Sequence, residues 1–378
     1  MAVANAVNKS VYPTEDMGQL SIHDMLNYFE QMGTMRVSDL HLKVGAQPAY
    51  RVDGAIDKLK GPVLTQEMAE QLILPLLSQA SIDKLREMHS VDCSYRLAET
   101  HFRINVFKEN DGICAAIRAL SRDIPPVEKT GFPNDIWKDI INRKHGLVLI
   151  TGVTGAGKST TIASLIDRIT QEHAHRIITI EDPIEYIFEQ NKALVSQREI
   201  GRDVYSFIDG LRSMLREDPN IIFVGEMRDA ETIAMTLMAA ETGHLVFSTL
   251  HTRDTAGTVT RILDYFPPGR QNEVRNQLSL GLAYIISQKL IPRKDGKGRI
   301  AAMEVLNNNY ATANLIRTGK VEQIYSQLQT KTTSRYDEKM ITMERHLARL
   351  VKEDKIELEE AQKWANNLTT FAEAMNLE

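Results

Sequence analysis

The nine residues Gly152-Val153-Thr154-Gly155-Ala156-Gly157-Lys158-Ser159-Thr160 carry the most specific chemistry in the sequence. The first eight fit G-x-x-x-x-G-K-[ST], the phosphate-binding loop. Its glycines let backbone N–H groups turn inward around phosphate oxygens, and the helix that follows aims its N-terminus at them. Lys158 is placed to reach the β- and γ-phosphates, and Ser159 to hold Mg²⁺. A glycine-rich loop can also be a simple turn. Here an apolar run, Leu147–Ile150, precedes it, and Ile162, Leu165, Ile166 and Ile169 recur after it at helical spacing. That strand–loop–helix context predicts a site for ATP and Mg²⁺.

Other polar residues gather at the ends of apolar runs. Glu226 follows Ile221–Gly225. A carboxylate at a strand end beside a phosphate loop binds Mg²⁺ through water or orients the attacking water, and a glutamate is long enough to act on the water itself. The bland alternative is a solvated loop glutamate. Arg228 reads either as a nucleotide contact or as a structural ion pair with Asp229. Glu181, Asp182 and Glu185 follow the run Ile177–Ile180. Three carboxylates so close can hold metal-bound water; a charged loop capping a helix after Pro183 would look similar. His244 and His251 bracket the run Leu245–Phe247, where an imidazole can sense a γ-phosphate or relay to a neighbour. Arg103 and Arg118 suit phosphate recognition, but spacing alone reads them as ordinary exposed strand arginines.

The elements that must position these groups are legible in outline. Four runs that are apolar throughout imply strands covered on both faces, hence a parallel α/β sheet. In such sheets ligands bind outside the carboxyl ends of the strands, where the runs deliver their polar residues. The first third reads differently. In His101–Phe107, Phe102, Ile104 and Val106 alternate with Arg103 and Asn105, a half-buried strand. Glu109-Asn110-Asp111-Gly112 is a turn, and Ile113–Leu120 returns as a second strand. The expected layout is a loose tail over 1–18, an α+β domain over 19–124, a proline-rich linker over 125–140, the α/β core over 141–306, and a helical segment over 307–378 with a loose end.

The 378 residues suit two domains, and 43% hydrophobic with 25% charged residues suits a soluble globular protein. A net charge of −5 argues against a whole-surface nucleic-acid binder. Cys93 and Cys114 form no CxxC pair, which excludes a four-cysteine zinc site; free thiols are expected rather than a disulfide. No apolar run approaches the roughly 18 residues of a membrane span, so a cytoplasmic protein with membrane contact only through partners is expected.

With these segments assembled, the chain resembles the secretion-motor ATPase superfamily and, within it, the type IV pilus retraction ATPases. The resemblance rests on GVTGAGKST at Gly152–Thr160, ITIEDPIEY at Ile178–Tyr186, LREDPNIIFVGEMRD at Leu215–Asp229 and TGHLVFSTLHT at Thr242–Thr252. These match the family's Walker A, aspartate, Walker B and histidine boxes. SDLHL at Ser38–Leu42 and RVDG at Arg51–Gly54 look like its PAS-like N-terminal domain. The resemblance implies a PAS-like domain followed by a RecA-like P-loop ATPase domain, assembled as a homohexamer with active sites shared between subunits. It makes Glu226 the catalytic glutamate and places His244 and His251 in the histidine box. It also turns Arg103 and Arg118 into arginines acting on a neighbouring subunit's nucleotide, against the reading from spacing. An inner-membrane pilus platform protein, and a paralogous pilus ATPase, are the implied partners, at the cytoplasmic face of the inner membrane. The stretch Thr312-Ala313-Asn314-Leu315-Ile316-Arg317-Thr318 keeps only Asn-Leu-Ile-Arg of the retraction motif AIRNLIRE, which leaves an accessory retraction role open. Two rivals stand beside this reading: another hexameric translocase, including one acting on nucleic acid, and a non-hydrolysing regulatory subunit.

Overall fold

A computed structural model describes residues 6–32, 37–52, 55–98, 100–109, 112–120, 124–296, 298–329 and 339–376. Two compact units emerge. The first comprises residues 1–123 with Pro183–Ile187 and Gly201–Asp203; the second holds the rest.

The first unit is α+β. Its six-stranded sheet runs β5-β4-β3-β8-β7-β6 and is antiparallel throughout. The strands are β3 (Val37–Lys43), β4 (Ala49–Val52), β5 (Ala55–Lys58), β6 (Ser90–Leu97), β7 (Thr100–Glu109) and β8 (Gly112–Leu120). Alternation does the sorting: Leu40, Leu42, Phe102, Ile104, Val106 and Ile117 are buried on one face. Met25 of α1 (Ile22–Met32), Leu72 of α2 (Gln66–Ile73) and Leu85 of α3 (Gln79–Met88) complete that core. The opposite face keeps Arg103 and Arg118. Asp53 and Gly54 of the RVDG stretch, and Asn110 and Asp111 of the expected turn, lie outside the described residues.

The beginning of the chain differs from expectation. Tyr12–Thr14 (β1) pairs with Gly18–Leu20 (β2), and Tyr12 is fully buried with its hydroxyl donating to the Pro62 carbonyl at 2.8 Å. One aromatic whose polar tip finds a partner anchors a segment whose polar composition reads as loose.

The second unit is α/β. Its seven-stranded sheet has the order β11-β10-β12-β13-β9-β14-β15. These strands are β9 (Gly146–Thr151), β10 (Arg176–Glu181), β11 (Leu194–Glu199), β12 (Ile221–Val224), β13 (Leu245–Leu250), β14 (Leu282–Pro292) and β15 (Arg299–Asn307). All pair in parallel except β15, which returns antiparallel along β14. The four expected strands are β9, β10, β12 and β13, and β9 lies between β13 and β14. Leu147 and Leu149 of β9 join a core with Leu237 of α7 (Ala230–Glu241) and Leu278 of α9 (Pro268–Gly281).

Residues 125–140, read as a linker, belong to this second unit. Val127 is buried there, and so is Trp137 of α4 (Ile136–Ile141). Arg168 stacks 5.3 Å from the Trp137 ring and pairs with Glu128 at 3.3 Å. Prolines here fix a path across the core instead of a free connection. The C-terminal segment is helical as expected: α10 (Tyr310–Arg317), α11 (Ile324–Gln329), α12 (Met343–Lys352), α13 (Leu358–Trp364) and α14 (Leu368–Asn376). Its last described helix is not loose, because Phe371 of α14 is buried with Met343 and Leu347 against Ile291 and Ala302. Both cysteines are free.

Candidate active site

The cradle starts where β9 ends. Gly152, Gly155 and Gly157 all take positive φ, at 149°, 78° and 84°, which residues with a Cβ rarely adopt. Helix α5 (Lys158–Glu172) begins at once, with Gly157 as a cap that offers no side chain and no acidic residue in the first turn. No side chain caps its first N–H groups, and the helix dipole favours an anion there. Ile162, Leu165, Ile166 and Ile169 are fully buried, so the helix is fixed by its apolar stripe and the loop by the helix.

Lys158 is buried within the loop. Its ammonium donates to the Gly152 carbonyl at 2.9 Å and the Val153 carbonyl at 3.2 Å, and lies 3.5 Å from His251 Nδ1. His251 Nε2 is in turn 3.2 Å from Glu226 Oε1. An ammonium can only donate, and an ionised carboxylate can only accept. The relay is therefore consistent with one arrangement of a neutral imidazole: Nδ1 accepts from Lys158, and Nε2–H donates to Glu226. Arg228 Nε completes the chain at 2.9 Å from Glu226 Oε2, and its other arm reaches Asp182 at 3.2 Å.

The backbone around Glu226 explains its position. Thr249 of β13 donates its hydroxyl to the Gly225 carbonyl at 2.7 Å, and its own carbonyl accepts from Met227 N–H at 3.2 Å. Gly225 N–H donates to the Ile180 carbonyl at 2.8 Å. Glu226 thus projects from a turn pinned to both neighbouring strands. Asp229 does not pair with Arg228. It caps α7, accepting from Thr232 N–H at 2.8 Å.

Several expected residues lie elsewhere. His244 sits at the opposite end of β13, with Nδ1 2.9 Å from the Ala239 carbonyl. The strand separates it from this chain's cradle by about 20 Å at roughly 3.3 Å per residue, so the expected nucleotide contact is not made within this unit. Glu181 is buried, and its Oε1 accepts from Thr179 at 2.7 Å and Gln197 at 3.2 Å. Glu185 falls in the segment Pro183–Ile187, which packs with the first unit.

Mg²⁺ fits the donors at the cradle. The Ser159 hydroxyl has no hydrogen-bond partner among the described residues, and Mg²⁺ keeps several waters and takes only one or two protein ligands beside phosphate. The described residues hold no cluster of three His, Cys, Asp or Glu that could hold a metal, so Glu181, Asp182 and Glu185, close in sequence, do not converge as one.

Sequence reasoning missed the far wall of the cradle. A cavity of about 490 Å³ opens beside it, floored by Gly157, Thr161 and Gln288 and walled by Phe132, Arg293 and Arg349. Phe132 comes from the segment read as a linker, Gln288 from β14, Arg293 from the turn just after it, and Arg349 from α12. No local motif marks them; the apolar run of β14 was the available signal.

Fold and site together define the class, a P-loop ATPase. The chain belongs to the family of Type II/IV secretion system proteins, whose profile it matches over residues 22–376. It is 43% identical over 312 residues to the type IV pilus retraction ATPase PilT of Pseudomonas aeruginosa, covering 82% of this chain and 89% of the relative. To the type IV pilus ATPase PilU of the same organism it is 34% identical over 327 residues, 86% of this chain and 84% of the relative. A solved structure of the pilus retraction motor PilT with bound ADP superimposes with a TM-score of 0.83 at 43% identity, covering 94% of this chain and 99% of that one.

Proposed function

We propose that this chain is the motor subunit of type IV pilus retraction, hydrolysing ATP at the cradle Gly152–Thr160 and turning hydrolysis into domain rotation within a homohexamer. The observation that carries the catalytic reading is the link from Lys158 through His251 to Glu226. A carboxylate held beside the γ-phosphate lysine is placed to take a proton from attacking water. In this reading Lys158 neutralises γ-phosphate charge, Ser159 ligates Mg²⁺, Asp182 sets the charge around its waters while Glu181, held by Thr179 and Gln197, fixes the strand end before it, and the cavity beside Gly157 takes the nucleoside.

Arg103 and Arg118 act on a neighbouring subunit's phosphates. They stand directly opposite each other across β7 and β8, and like charges in that register repel. Asp39 pairs with Arg118 at 2.7 Å, while Arg103 is exposed with no ion-pair partner among the described residues. Asp39 also pairs with Arg51 at 3.7 Å, so this face carries more positive than negative charge, which suits a phosphate. Glu185 and His244 belong to this assembled form. The ring works from the cytoplasmic face of the inner membrane on a pilus platform protein, and a PilU-like paralogue is a further partner.

Deletion in the source organism tests the biological assignment. Surface pili that accumulate while twitching is lost support retraction. Loss of pili points to assembly, and unchanged pili and motility contradict a pilus role. Normal retraction that fails only under load marks the accessory role that the altered stretch Thr312–Thr318 raises.

A further inference from the structure

Gln288 holds the cradle from the side opposite Glu226, and its chemistry is specific. It lies on β14, one residue beyond Ser287, which pairs with Thr151 at the last position of β9. The Ser287 and Thr151 hydroxyls are 2.7 Å apart. The Gln288 side chain, 3% exposed, therefore sits directly beside the phosphate loop. Nε2 donates to the Ala156 carbonyl at 2.7 Å, and Oε1 accepts from the Thr161 hydroxyl at 2.8 Å. One amide thus ties the last turn of the loop to the first turn of α5.

The fit extends to the glycines. A Cβ on Gly152 would meet the Gln288 carbonyl oxygen at 2.5 Å, and one on Gly157 would meet Gln288 Nε2 at 2.9 Å. Residue 288 is interlocked with both ends of the cradle. A neutral amide is the side chain of this length that offers a donor and an acceptor together. Glutamate would accept from Thr161 but turn an oxygen toward the Ala156 carbonyl, and when ionised it would place negative charge beside the phosphates.

We infer that Gln288 is a positioning residue for nucleotide binding. It fixes the loop so that the N–H groups preceding Lys158 converge on phosphate, and it touches no reacting atom. The inference rests on the cradle being the ATP site. It predicts a loss in nucleotide affinity larger than any loss in maximal turnover, because a misaligned loop weakens binding in ground and transition states alike.

The test measures Mg²⁺–ADP affinity of the full chain by calorimetry, with steady-state ATPase kinetics and thermal melts on the same samples. Gln288→Glu is expected to weaken ADP binding by about tenfold to a hundredfold at pH 8, the scale of a lost buried hydrogen bond with an opposed acceptor. KM for ATP rises in step, and kcat stays within about threefold. The deficit shrinks as pH is lowered to 6, because a protonated carboxyl donates to Ala156 again; a purely structural lesion would not recover. Should Gln288→Glu not fold, Thr161→Val, which removes only the hydroxyl that feeds Oε1, decides by the same affinity reading with about a fivefold loss expected. Folded variants that bind ADP within twofold of wild type overturn the inference. Lys158→Ala separates this from the site reading: if it too binds ADP normally, the cradle assignment has failed, and if it loses ADP while the other variants do not, only the role of Gln288 has.

Discussion

Gly157 carries two constraints at once. Its φ of 84° lies in the left-handed region, and the Gln288 amide leaves no room for a methyl group. Gly157→Ala is therefore expected to destabilise the chain by about 1–3 kcal/mol and to cut ADP affinity at least tenfold, read by thermal melts and calorimetry together; wild-type affinity would contradict the geometry. His251 makes a different prediction. It bridges Lys158 and Glu226 without a place in the cradle itself, so His251→Ala should lower turnover about tenfold to a hundredfold while ADP affinity stays within about threefold. Equal losses in both would mean that it binds nucleotide directly. Residues at this scale were legible in proportion to how local their signal is. The cradle is nine consecutive positions whose spacing encodes its own geometry, and Glu226 announces itself at the end of an apolar run. Gln288 does not, because a glutamine in a strand more than a hundred residues away acquires its meaning only from the pairing of β14 with β9. His244 was legible at the far end of the apolar run from His251, and β13 keeps the two apart; what a neighbouring subunit brings to that end is not written in any local motif.

The elements themselves show why. Strands buried on both faces read as continuous apolar runs, and β9, β10, β12 and β13 all did. Strand β14 is as apolar, but it follows directly on α9 without a loop between them, and with it went the far wall of the site. The C-terminal helices reach this wall through His346 of α12, whose Nδ1 accepts from Met303 N–H on β15 at 2.8 Å. Burial pushes the imidazole down to about 4 from the usual 6.5. A group whose folded pKa is depressed contributes its full stability above the unfolded value and loses it as pH falls toward the folded one. The chain should thus lose about 3 kcal/mol between pH 6.5 and 4 from this residue alone, at roughly 1.4 kcal/mol per unit. Denaturation of His346→Asn, whose amide oxygen can accept the same bond, should show that much less acid sensitivity across the window. An unchanged pH slope would contradict a buried neutral imidazole.

At the scale of the molecule, the division of labour between units is the claim. The second unit holds the cradle, Lys158, His251 and Glu226; the first holds Arg103 and Arg118 on one exposed sheet face. If the arginines serve a neighbour's nucleotide, mixtures should reveal it. Glu226→Gln subunits and Arg103→Ala/Arg118→Ala subunits are each expected to be nearly inactive alone. Mixed assemblies should regain a measurable part of wild-type ATPase activity, because an intact cradle then faces intact arginines across some interfaces. No recovery in assemblies of demonstrated mixed composition would place the arginines outside the active site. The net charge of −5 leads to a further expectation, that nucleic acid leaves turnover unchanged at low and moderate salt; stimulation with a steep salt dependence would favour a translocase.

All of these expectations depend on hydrolysis at the cradle with Glu226 as the group that activates water. ATP turnover by Glu226→Ala, measured on protein shown to bind ADP as wild type does, tests this most directly. The account predicts a fall of at least about a hundredfold, within the usual range for a lost general base. Undiminished turnover would contradict it.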